Sequence, residues 1–108
     1  MTTYTLDDPY TGETASTIAQ ADDATISETL DNAREAASLL RRMPIAERVA
    51  LCERALEKFI AKTDEVASSI TREMGKPLSQ ARGEVSGMAG RWRHMQSIAT
   101  EALADIQL

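Results

Sequence analysis

The sequence predicts a mainly α-helical chain that opens with a short pair of β-strands and continues as three or four amphipathic helices. Three observations predict it. Residues 1–21 are rich in threonine and turn-forming residues. From Asp22 onward the apolar residues recur at steps of three and four, the period of a helix with one buried face. Pro44, Gly75 and Pro77 then divide that helical stretch at places where a helix has to stop or start.

The strand pair rests on Tyr4-Thr5-Leu6 and Thr14-Ala15-Ser16-Thr17-Ile18, whose residue types favour extended backbone. Between them, Asp8-Pro9-Tyr10-Thr11-Gly12 is turn chemistry. A lone two-stranded ribbon is marginal in water, so the pair is expected to lean on another element.

The first helix starts at Asp22 or Asp23 as cap, or one turn later at Thr25 with Glu28 as a capping box. Ile26, Leu30, Ala33, Ala37 and Leu40 share one face, and Arg41 and Arg42 in the last turn complement the helix dipole. Pro44 ends this helix and opens the next. From there to about Met74 the stripe reads Val49, Cys52, Leu56, Phe59, then Val66, Ile70 and Met74. The polar Lys62-Thr63-Asp64 interrupts it, and Thr63 is placed to cap a second helix.

Gly75 is a helix stop and Pro77 begins the last segment. There Leu78, Ala81, Val85, Met88, Trp92, Met95, Ala99, Ala102 and Ile106 alternate threes and fours, which assigns them the packed face. Beside that stripe runs a seam of Ser79, Gly83, Gly87 and Gly90. A glycine costs a helix about 1 kcal/mol relative to alanine. Three of them on one side imply a second packing face against another backbone, supplied from outside these helices.

Composition narrows the function. The 108 residues carry 17 acids against 12 Lys and Arg, a net charge of −5. A nucleic-acid partner requires a basic surface, and this balance excludes one as an expectation. Aromatics are 4% of residues, so the core is aliphatic. A single cysteine allows no internal disulfide and suits a reducing compartment. The opening Met1-Thr2-Thr3-Tyr4 is no signal peptide, and no apolar run approaches the ~20 residues of a membrane span. The expected location is the cytoplasm, with no membrane partner.

Candidate chemistry is sparse. Cys52 is the one strong nucleophile, but it falls on the apolar stripe between Val49 and Leu56 and is assigned to the core. His94 is the only histidine, too few for a zinc site, and reads as a surface residue. In Arg91-Trp92-Arg93-His94 the indole is expected to point inward between solvated charges. There is no P-loop, GxGxxG, CxxC or HExxH pattern.

One stretch is more specific. Ile70-Thr71-Arg72-Glu73-Met74-Gly75-Lys76-Pro77 through Ala81 to Glu84-Val85 resembles the E-x-GKP…A…EV segment near the start of aldehyde dehydrogenases. Asp8-Pro9-Tyr10-Thr11-Gly12-Glu13 is similar to that family's NPATGE opening, with Asp8 where Asn is usual. Pro44-Ile45-Ala46-Glu47-Arg48, then Leu51 and Ala55, resembles its P-x-x-ER…L…A segment. The short lead and the wording REMGKP look most like the succinate-semialdehyde dehydrogenase branch.

The resemblance implies that residues 1–108 are a single partial domain, with the strand pair in 1–21 and helices in 22–108. It would be the N-terminal part of an α/β cofactor-binding domain. In the family a cysteine thiolate attacks the aldehyde, hydride passes to NAD or NADP, and a glutamate activates the water that releases the acid. Those residues and the dinucleotide site lie downstream of Leu108, so the resemblance implies no catalytic, cofactor-binding or metal residue here, and Cys52 does not match the catalytic motif. Some members hold a monovalent cation with an acid at the position of Glu73 and carbonyls near Leu6 and Asp7. The usual residue there is Asp, and the longer Glu73 reads as a solvated charge. The expected partner is the remainder of a dehydrogenase, or a second copy. The rival expectation is a small non-catalytic helical interaction module whose stripes drive self-association.

Overall fold

A computed structural model describes residues 2–106. Met1, Gln107 and Leu108, the outermost residues of the expected unit, lie outside the described residues. The element order is β1 (Thr3–Asp7), β2 (Thr14–Ala19), α1 (Asp23–Arg42), α2 (Ile45–Ile60), α3 (Thr63–Met74) and α4 (Leu78–Ala102).

β1 and β2 pair antiparallel, with Thr3 opposite Ala19 and Leu6 opposite Ser16, and an irregularity between Leu6 and Asp7. The turn is specified by its side chains. The Asp8 carboxylate accepts the Tyr10 and Thr11 amides at 2.8 and 3.4 Å. The Gly12 amide closes onto the Asp8 carbonyl at 2.8 Å with Gly12 at φ +74°, a conformation that favours glycine. The ribbon leans on the C-terminal end of α3, as a marginal pair must. The Arg72 guanidinium donates to the Ala15 carbonyl at 3.2 Å, and Pro9 rests against Gly75.

α1 begins at Asp22, whose carboxylate accepts the Thr25 amide at 2.8 Å. That bond holds the Asp22 carboxyl below its ordinary value. No residue of α1 is buried, and Ile26, Leu30 and Leu40 of its apolar stripe lie exposed. The helix stands off as an arm. The radius of gyration is 18.5 Å and the long axis 59 Å, whereas a compact domain of this length has a radius of about 13 Å.

Met43 is extended and Pro44 opens α2, its carbonyl accepting the Glu47 and Arg48 amides at 3.1 Å. The helix breaks again after Ile60, as the polar interruption predicts, but Thr63 does not cap α3. Its hydroxyl donates back to the Ile60 carbonyl, and Lys62 is the cap residue. α3 ends at Gly75, which is left-handed at φ +71°.

α4 packs on α2 and on α3. The buried side chains are Leu56, Ala67, Ala81, Val85 and Ala89. On α4 the covered line therefore advances by fours along Ala81, Val85 and Ala89 and continues through half-buried Trp92 and Gln96. The expected stripe holds at Ala81 and Val85, is half covered at Met88, Trp92 and Ala99, and fails at Leu78, Met95 and Ala102, which are exposed, as is Met74 at the end of the preceding stripe. Three small alanines let two helices approach α4 closely. The larger Leu78 and Met95, rotated off that line, are left outside. Ile106 lies beyond the end of the helix and is exposed.

Candidate functional site

A groove of about 570 Å³ lies where the first half of α2 passes the second half of α4. Arg93 pairs with Glu53, and Gln96 with Val49, so the helices run antiparallel here. Ile45, Val49 and Cys52 form one wall; Met88, Trp92 and Met95 form the other. Each set falls on one helical face by its spacing.

The groove is apolar with a few fixed polar groups. Gln96 Nε2 donates to the Val49 carbonyl at 3.1 Å, and Arg93 Nε and Nη2 donate to Glu53 Oε1 at 3.2 and 3.1 Å. Arg48 Nε and Gln96 Oε1 are shielded from solvent without a hydrogen-bond partner. Such a group costs about 1–3 kcal/mol until something satisfies it. At the far end Glu84 is paired with Lys76, and this bond, with the ammonium charge, holds its carboxyl below the ordinary 4.5.

Cys52 departs from expectation. It is exposed and lines the groove instead of packing in the core. Leu56 is buried, whereas Cys52, one turn earlier, faces the open side of the groove between the bridges at Val49 and Glu53. Its thiol makes no hydrogen bond to a histidine or carboxylate among the described residues. His94 is exposed, and no group of three His, Cys, Asp or Glu able to hold a metal ion occurs among the described residues. Trp92 is half-buried, so the indole points into the groove and only partly into the core.

The glycine seam is open. A Cβ at Gly83, Gly87 or Gly90 would meet no atom within 4 Å, so none of the described residues supplies the backbone that the seam predicts. Glu73 is an exposed residue next to the hairpin contact at the end of α3. Sequence reasoning missed Ala89, Arg48 and Gln96. The first and last were legible as the fours from Ala81 and Val85 and from Trp92. No pattern marks Arg48, whose position depends on how α2 crosses α4.

The aldehyde dehydrogenase family model matches residues 2–107. The chain belongs to the aldehyde dehydrogenase family. It is 44% identical over 78 residues to a succinate-semialdehyde dehydrogenase [NADP(+)] of Deinococcus radiodurans, covering 72% of this chain and 16% of that protein. It is 34% identical over 97 residues to a probable succinate-semialdehyde dehydrogenase [NADP(+)] of Synechocystis, covering 90% of this chain and 21% of the relative. An N-succinylglutamate 5-semialdehyde dehydrogenase of Caulobacter vibrioides matches at 37% over 84 residues, 78% of this chain and 18% of the relative. The chain thus spans about a fifth or less of these curated relatives. The strand pair followed by four helices is the N-terminal segment of the family. Among the described residues no helix is long and apolar enough to cross a membrane.

Proposed function

We propose that this chain supplies the N-terminal helical part of the cofactor-binding domain of a semialdehyde dehydrogenase. The parent reaction is oxidation of succinate semialdehyde, or a similar short aldehyde, with NAD or NADP and water, giving the acid and the reduced nicotinamide. The observation that carries this reading is the match, over most of the chain, to a small N-terminal share of proteins named for semialdehyde oxidation.

By itself the chain is proposed to be inactive. Covalent aldehyde chemistry needs a thiolate beside an activating group, and Cys52 has neither a base nor a cation bonded to it. Dinucleotide binding uses open amides at a strand-to-helix turn. The turn from β2 to α1 instead carries the Asp22 carboxylate on the Thr25 amide, which repels a phosphate. The uncovered α1 stripe and glycine seam are then surfaces that the remainder of a dehydrogenase polypeptide would cover. A small interaction module would also explain open faces, but it gives no role to the Asp8–Gly12 turn or the Gly75-Lys76-Pro77 break.

The direct assay is purified chain with succinate semialdehyde and each nicotinamide dinucleotide, followed by nicotinamide absorbance. No turnover is expected. Turnover that disappears in Cys52→Ser would overturn both the inactivity and the assignment of Cys52 as an unactivated groove residue.

A further inference from the structure

We draw no further inference here: the strongest candidate, the apolar groove between α2 and α4 with the Cys52 thiol on its wall and Arg48 Nε shielded beside it, carries nothing beyond the function already proposed, because nothing in the structure shows what covers it.

Discussion

Gly75→Ala tests how the ribbon is tied to the helices. Two effects act at this residue. Gly75 is left-handed at φ +71°, and a Cβ built there lies 2.9 Å from Pro9 Cγ. A non-glycine residue in this region costs about 1–2 kcal/mol. Ala also stiffens the unfolded chain, which returns about 0.4–1 kcal/mol where the native backbone is unstrained. The backbone effect alone is then a net loss of about 1 kcal/mol. The 2.9 Å approach adds to it, because either Pro9 moves and loosens the ribbon from α3, or the end of α3 shifts. A total of about 1–3 kcal/mol is expected, read by urea unfolding followed by far-ultraviolet circular dichroism. Pro9→Ala is the control. In that background the cost of Gly75→Ala should fall back towards the backbone effect, which is a coupling between the residues. Equal stability of Gly75→Ala and wild type would refute the reasoning. An unchanged cost in the Pro9→Ala background would refute the contact while leaving the backbone effect standing.

Other outcomes follow from the same structure. Leu56→Ala removes the one large side chain that is fully buried among the described residues and should cost about 2–5 kcal/mol, measured as a lower urea midpoint. Trp92→Ala should cost less than the ~3–5 kcal/mol of a fully buried aromatic, since the indole is only partly buried and lines the groove. A loss as large as that for a buried tryptophan would contradict its placement. Glu84 has its carboxyl lowered by Lys76 and Asp22 by the Thr25 amide. A carboxyl lowered on folding stabilises above its unfolded value and loses that contribution as pH falls through the folded one. Stability should therefore decline on acidification below about pH 4.5, and Glu84→Gln should flatten part of that decline. A profile unchanged by Glu84→Gln would show the Lys76 pair to be immaterial.

The strands, the breaks and the four helices were legible because each is written locally. Asp8 and Gly12 specify a turn, Asp22 a cap, Gly75 a left-handed stop, and Pro44 and Pro77 helix starts. What was not legible depends on how helices cross. Threes and fours on α4 select a broad face, and choosing the line Ala81, Val85, Ala89 within it requires knowing that α2 and α3 approach over alanines. Cys52 shows the same limit. Its spacing from Val49 and Leu56 places it on the apolar face, yet within that face Val49 and Phe59 are only half-buried, Leu56 is buried and Cys52 itself lies open to the groove. The apolar stripe of α1 was read correctly as a stripe, but periodicity says nothing about whether a partner surface is present.

The account rests on this chain being a working N-terminal segment of a semialdehyde dehydrogenase. The most direct measurement is complementation with the Deinococcus radiodurans relative from which the matched N-terminal segment has been removed. That truncated protein is mixed with the 108-residue chain, and succinate semialdehyde oxidation with NADP is followed by absorbance. The account predicts turnover that saturates with added chain and is absent from either component alone. Restoration by the relative's own N-terminal segment, with none from this chain at any concentration, would contradict it.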